Sequence, residues 1–328
     1  MYLDPNIFNN TNYKLALIFL YSLFFTFLAA TYLKYKFLKK NFVVTDMYKK
    51  KKPILANLGG TAALVGILAS IVISQVLVSN FSTANLLIFF FIVIIHALSG
   101  LIDDLINTSN IIKIVAPYFM ALPVFLLVQN TTVNFFGSTI DLGLLFVYII
   151  APVFLLVITN LVNMHSGYNG LASGVSGIIM LSLIIRSIMQ GQLTDLYYIL
   201  PVFAALIVLW YYDKYPAKMI WGNIGSMMMG SAIGAYIIVT HAYTFGMIIF
   251  IPHIVDFLLY FFSVAVKKDK FLKIKFGKLR SDGTIDAPTP YKLKFLFPYY
   301  FRLTEKQTTL TLYGTTAIFC LIGLLLGV

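Results

Sequence analysis

The chain has 328 residues, 60% of them apolar and 11% charged, with 24 Lys and Arg against 12 Asp and Glu. At a mean hydropathy of +0.89, this excludes an ordinary soluble domain, of which about a quarter is charged, and indicates an integral membrane protein. The formal charge of +12 then marks the cytoplasmic side of a membrane and no nucleic-acid partner, and the single Cys320 excludes an internal disulfide and a cysteine-type zinc site.

Ten apolar runs follow one another, at 14–33, 54–78, 85–102, 111–128, 142–162, 171–189, 196–212, 224–240, 245–266 and 307–327. At about 1.5 Å per residue each is long enough, or nearly so, to cross about 30 Å of hydrocarbon as a helix. The first has no basic stretch before it and is long enough to span, so it reads as a span and not as a cleavable signal. The expected architecture is an all-α integral membrane protein of about ten transmembrane helices, forming a single transmembrane domain over residues 1–328. An even number of spans returns the chain to its starting side, and the basic residues choose that side. Eight lysines lie between Lys34 and Lys52, eleven basic residues lie between Lys267 and Lys306, and Lys113, Lys214 and Lys218 fall with them, leaving Lys14 and Arg186 opposite. Both termini are therefore expected outside, with the basic loops in the cytoplasm.

Those loops hold nearly all the polar chemistry. The first, 34–53, leads into Pro53-Ile-Leu-Ala-Asn-Leu-Gly-Gly60. Asp103 and Asp104 close the third run, where adjacent carboxylates at a membrane boundary need a cation or donors to offset them. Mg²⁺ bridging phosphates is one such partner; solvation in a loop is the other reading. Lys113, nine residues after Asp104, can contact a phosphate or simply snorkel to water. The densest polar stretch is Asn160-Leu-Val-Asn-Met-His-Ser-Gly-Tyr-Asn-Gly-Leu-Ala-Ser-Gly174. Asn supplies neutral oxygen ligands and amide donors, and Gly lets backbone N–H groups approach a phosphate, although both also form ordinary turns. The fourth loop is Asp213-Lys-Tyr-Pro-Ala-Lys-Met-Ile-Trp-Gly-Asn-Ile-Gly-Ser226. The last, 267–306, has room for a short strand pair or an amphipathic helix. His253 and Asp256, spaced i, i+3 on one helix face, read as a buried hydrogen-bonded pair, an intramembrane acid being otherwise a site candidate. His96 and His241 read as packing residues.

Taken together, these segments resemble the polyprenyl-phosphate N-acetylhexosamine-1-phosphate transferases over essentially the whole chain. Asp103, Asp104 and Lys113 resemble the family's acidic motif, and Asn160-Leu-Val-Asn163 its second motif. Tyr215-Pro216-Ala217 with Gly222-Asn223-Ile-Gly-Ser226 is similar to its Pro-Ala…Gly-Asp-x-Gly-Ser segment. The Gly167–Gly174 tail looks more like the eukaryotic and archaeal dolichyl-phosphate branch than the bacterial cell-wall branch. No His occurs between 254 and 328, where the bacterial branch carries a His-rich motif. The resemblance implies transfer of N-acetylglucosamine 1-phosphate from UDP-GlcNAc to dolichyl or another polyprenyl phosphate, releasing UMP, as the first step of a lipid-linked oligosaccharide for N-glycosylation. The active site would face the cytoplasm, at the cell membrane or, in a eukaryote, the endoplasmic reticulum. The resemblance also implies Mg²⁺, with Mn²⁺ as the alternative ion, on Asn163 and Asn223. Lys113 would add positive charge, and Asp103 or Asp104 would accept or orient the lipid phosphate's proton. Asn169 and Gly170 would lie near the uracil or ribose. Lys268 and Lys270, with Lys267, fall where the family has basic residues near the sugar diphosphate, contact with anionic membrane lipid being an equal reading. His165 reads either as a substrate contact or as a turn residue capping a helix, and a homodimer is a further implication.

One departure bears on the metal. Where the family usually places an Asp, this chain has Asn223, whose amide oxygen can ligate Mg²⁺ but brings no charge. Three readings stand: neutral Asn ligands with charge from the Asp pair, which is the one taken here; compensation by Asp213; or an altered family member. The rival class is a transporter or channel, whose paired polar groups sit near the bilayer midplane on broken helices in repeated halves. Here the polar clusters sit at the ends of runs, and no repeat is visible.

Overall fold

A computed structural model of the chain describes residues 10–78, 83–109, 111–135, 138–267 and 274–328. The apolar runs form helices because a backbone in hydrocarbon must satisfy its own N–H and C=O groups. In chain order these are α1 (Thr11–Lys39), α2 (Gly60–Leu77), α3 (Thr83–Ile106), α4 (Ile112–Ala121), α5 (Gly143–Leu145) and α6 (Ala151–Met164). They continue with α7 (Leu171–Met189), α8 (Leu196–Asp213), α9 (Gly222–Val239), α10 (Tyr243–Ile249), α11 (Ile251–Phe262), α12 (Leu293–Tyr300) and α13 (Glu305–Leu326).

Among the described residues, eight helical segments are long and apolar enough to cross a membrane, counting Gly143–Met164 and Leu193–Asp213 as continuous stretches. Both short runs at 196–212 and 224–240 fall within that set. The run expected at 245–266 is instead α10 and α11, bent by 61°; Pro252 in the first turn of α11 has no N–H with which to carry α10 straight on. The run expected at 111–128 gives only the ten-residue α4 and a 3₁₀ stretch over Leu122–Leu127, with Pro117 inside the first and Pro123 opening the second. The expected count of ten therefore becomes eight spans, one bent pair and one shorter helix among the described residues.

Helix α9 is the central post. Buried residues make up 83% of its apolar window, against 28% for α1 and α13. Its Gly, Ser and Ala positions let neighbours approach, which matters in a bilayer because lipid tails compete with Leu for apolar contact. A Cβ on Gly100 of α3 would sit 2.5 Å from the Asn223 carbonyl oxygen. That contact fixes the end of α3, with Asp103 and Asp104, against the start of α9. The first basic loop is folded onto the same place. Its strands β1 (Val43–Thr45) and β2 (Ile54–Ala56) pair antiparallel, and the chain then runs beside 219–221, with Ile220 N donating to Ala56 O and Gly59 N to Ile220 O, both at 2.8 Å. A hairpin of β3 (Thr132–Phe135) and β4 (Ser138–Asp141) follows α4. The long loop holds both devices anticipated for it, a strand pair β5 (Lys278–Leu279) and β6 (Ile285–Asp286) and the helix α12.

Candidate active site

The ends of these helices enclose a polar cavity of about 220 Å³. Helices α3 and α9 build one wall. Asp103 is buried, and both of its oxygens are occupied. Oδ1 accepts from Thr108 N at 3.0 Å and Thr108 Oγ1 at 2.7 Å and pairs with Lys113 Nζ at 3.0 Å, while Oδ2 accepts from Asn223 Nδ2 at 2.8 Å. Asp104 is half-buried and accepts from Ile224 N at 3.0 Å, in the first turn of α9 where free N–H groups and the helix dipole favour an anion. Gly222 makes that approach possible. It has φ +73°, and a Cβ there would lie 2.5 Å from Asp104 Oδ2, so only glycine suits both the left-handed backbone and the space. Asn163 Oδ1 accepts from the Ser226 hydroxyl at 2.6 Å, and Asp213 Oδ2 from the Ser173 hydroxyl at 2.6 Å.

Asp104, Asn163, Asp213 and Asn223 all line this cavity. A carboxylate can only accept, so the Asn223 atom facing Asp103 is Nδ2, which leaves its Oδ1 as a ligand atom. An all-oxygen set with few carboxylates fits a hard divalent cation that keeps phosphate oxygens and water in its shell. No three His, Cys, Asp or Glu among the described residues cluster as a metal site, so phosphates would have to complete the coordination.

The far wall comes from the first loop, the α6–α7 turn and the start of α13. Lys49 Nζ pairs with Asp46 Oδ2 at 3.2 Å and with Glu305, and donates to Asn169 Oδ1 at 3.0 Å. Glu305 Oε1 in turn accepts from Asn169 N at 2.8 Å. The Tyr48 and Tyr168 rings lie 5.0 Å apart beside them, and burial pushes both hydroxyls above the usual tyrosine range, so both stay protonated.

A second cavity of about 890 Å³ lies on the other side of α6. Leu156, Val157 and Leu161 of α6 and Ile254 and Phe257 of α11 make it an apolar groove, and Lys113, Asn160, Asp256, Lys292 and Lys294 give it a charged mouth. Asn160 lines the groove and Asn163 the polar cavity, so the last turn of α6 is the partition. Lys294 reaches across it, donating to the Ser166 carbonyl at 3.1 Å. Burial, with Lys292 and Lys275 nearby and Asp256 opposing, lowers the Lys294 ammonium to about 8.

Of the residues singled out in the sequence, the structure brings Asp103, Asp104, Asn163, Asn169 and Asn223 together around the polar cavity, with Asp103 just behind its wall. Lys113 faces the groove and ties it to Asp103. Gly170 caps α7, its carbonyl accepting from the Tyr313 hydroxyl. His165 lines neither cavity: it is buried, with Nδ1 3.2 Å from Asp256 Oδ2 and its ring 4.6 Å from that of His253. The expected His253–Asp256 pair is thus replaced. Their shared helix face points at the end of α6, so Asp256 holds His165 and accepts from Leu293 N at 2.6 Å. Lys268 and Lys270 lie outside the described residues. Sequence reading passed over Asp46, Lys49, Lys292, Lys294 and Glu305. One signal was present, since Asp46 is the sole acid in the basic 34–53 loop. Glu305 reads simply as the first turn of a helix with a Thr304/Gln307 capping box.

This order of helices and polar loops has relatives. The profile of glycosyl transferase family 4 matches residues 85–241. A Saccharolobus solfataricus protein, provisionally named UDP-N-acetylglucosamine–dolichyl-phosphate N-acetylglucosaminephosphotransferase, is 30% identical over 94% of this chain and 95% of its own length. A Sulfolobus acidocaldarius protein of the same provisional name is 27% identical over 87% of this chain and 88% of its own. The phospho-N-acetylmuramoyl-pentapeptide-transferase of Prochlorococcus marinus is 31% identical over 56% of this chain and 55% of its own. The chain belongs to glycosyl transferase family 4.

Proposed function

We propose that the chain transfers N-acetylglucosamine 1-phosphate from UDP-N-acetylglucosamine to a dolichyl or related polyprenyl phosphate, releasing UMP at the cytoplasmic face of a cell membrane. The observation that carries this reading is the partition at the end of α6: a polar cavity on one side, an apolar groove on the other, and lysines between them. A reaction that passes a sugar phosphate from a water-soluble nucleotide to a lipid phosphate needs that juxtaposition. The names of the two archaeal relatives support the donor and the dolichyl-type acceptor, and the lysine-rich first loop lining the cavity supports its cytoplasmic side.

In the reaction, an oxygen of the lipid phosphate bonds to the β-phosphorus of the donor, and the bond from that phosphorus to the bridging oxygen breaks, the electron pair leaving with UMP. Catalysis of phosphoryl transfer rests on positioning and on positive charge. Lys113, between the groove and Asp103, stabilises charge at the acceptor phosphate, and Lys294 anchors that phosphate from the opposite side. Asp103, with both oxygens engaged, orients Lys113 and Asn223. Asp104, which faces the cavity, takes or orients the acceptor's proton. Asp104, Asn163 and Asn223 would hold Mg²⁺, or Mn²⁺ in its place, with Asp213 nearby, and the bound ion would neutralise the diphosphate. Asn169, which lines the cavity, would lie toward the nucleoside, with Gly170 behind it capping α7. The test is incorporation of labelled GlcNAc from UDP-GlcNAc into a chloroform-soluble product, with Mg²⁺ or with EDTA. Metal-dependent product accompanied by UMP is expected; release of UDP, or no lipid product, would overturn the assignment.

A further inference from the structure

Asp256 is the one acid among the described residues that line the groove, which it shares with Lys113, Lys292 and Lys294. It is buried on α11, where a carboxylate is costly unless it is engaged. Both of its oxygens are engaged, and each holds the end of a different helix. Oδ1 accepts from Leu293 N at 2.6 Å. Leu293 opens α12, and the cap position before it is Lys292, whose side chain makes no capping bond and has no acceptor to make one with. Asp256 therefore supplies from α11 the cap that the local sequence lacks. Oδ2 lies 3.2 Å from Nδ1 of His165, the residue that closes α6. A carboxylate only accepts, so His165 Nδ1 carries the hydrogen of that bond; the His253 ring packs 4.6 Å from the ring of His165 on the other side.

The two helix ends that Asp256 joins are the ones that carry the partition. Asn160 and Asn163 lie in the last turn of α6, and Lys294, the second residue of α12, reaches back to the Ser166 carbonyl at 3.1 Å. A carboxylate that fixes both ends sets where that ammonium stands relative to the groove. We propose that Asp256 is a positioning residue for the acceptor, clamping the start of α12 to the end of α6 so that Lys294 stands, charged, where the groove receives a lipid phosphate. This role rests on the lipid-phosphate reading above. The electrostatics around Lys294 agree with it. Burial, first, and then Lys292 and Lys275 disfavour the ammonium, and Asp256 favours it. Lys113 and Tyr260 also line the groove, and the Tyr168 hydroxyl donates to the Lys294 carbonyl at 2.8 Å, so neither wall brings a second acid. With Asp256 in place Lys294 ionises at about 8; without it, burial and like charge are unopposed and the value falls further.

The test is equilibrium binding of farnesyl phosphate to the full chain in lipid nanodiscs across about pH 6 to 10, with UMP binding as the measure of an intact polar cavity. The wild-type affinity should fall as the pH rises through about 8. Asp256→Asn keeps the shape and removes the charge. The limb should then move down by about one pH unit, a loss of about fivefold in affinity at the wild-type midpoint, while UMP binds as before. Asp256→Glu, which returns the carboxylate, should carry the limb back up, and a role in packing alone would not move it at all. Lys294→Met removes the group on which Asp256 acts, so adding Asp256→Asn to it should cost less than about twofold more. A limb unmoved in Asp256→Asn, an undiminished effect of that change in the Lys294→Met background, or a parallel loss of UMP binding would overturn the proposal. If the limb moves as expected but no sugar phosphate passes from UDP-GlcNAc to lipid, the transferase reading fails and the clamp stands.

Discussion

The polar cavity and the apolar groove share one turn of α6 and differ in almost every other respect. In the cavity, carboxylates and amides are tied to named partners. Asp103 spends both oxygens on Thr108, Lys113 and Asn223, and Asn169 is held by three bonds through its Oδ1 and backbone N. The groove makes few directional bonds, and its walls are open, with Val157 45%, Phe257 43% and Leu258 54% exposed. Unmade hydrogen bonds are costly among buried polar groups, so the cavity can discriminate between substrates sharply. Apolar contact scales with area and is nearly indifferent to detail, so the groove can hold a lipid without choosing among lipids. On the proposed function, selectivity would belong to one side of the partition and retention to the other.

That contrast can be broken from the cavity side most easily. Asp104→Asn keeps the shape but removes the charge that faces the reacting phosphates and the one carboxylate among the proposed cation ligands, so turnover should fall by about 100-fold or more and the Mg²⁺ requirement should rise, read by steady-state assay. Unimpaired turnover would move the acid–base role elsewhere. Lys294→Met should come next, raising the Michaelis constant for lipid phosphate about tenfold and leaving that for UDP-GlcNAc alone; a shift in both would mean that the two sides are not separate. The same lysine gives a pH signature. Its ionisation is lowered to about 8, so its charge is present below that pH and lost as the pH rises through it. Affinity for the lipid phosphate should weaken above about pH 8, and Lys294→Arg should carry that limb to higher pH. The smallest effect is expected from Asn223→Asp. It adds charge to the cation site but replaces the donor 2.8 Å from Asp103 with an acceptor, so the Mg²⁺ requirement should shift by no more than about threefold.

Much of the fold was legible because hydrocarbon leaves the backbone few choices. Long apolar runs became helices, and adjacent acids such as Asp103 and Asp104 marked a helix end meeting polar partners. The short run at 111–128 misled because length and apolarity conceal what Pro117 and Pro123 do to the helix they interrupt. The i, i+3 spacing of His253 and Asp256 showed which face they share but not what that face meets, and the partner proved to be His165, ninety-one positions from Asp256. Lys49 and Glu305, separated by 256 positions, could not be joined from sequence at all. A lysine in a basic loop resembles its neighbours, and an acid opening a helix already has a local reason to be there.

The break between α10 and α11 tilts the outer wall of the groove by 61°, and the exposed flanks of Phe257 and Leu258 leave that wall open to the side. A long isoprenoid would enter edgewise from its own leaflet, commit only the units nearest its phosphate, and leave the remainder trailing among neighbouring lipids. On the proposed function, such a groove would set no ruler for the tail. Acceptors of very different chain length should be used almost equally, and the organism's choice of polyprenol would be set by what its membrane contains.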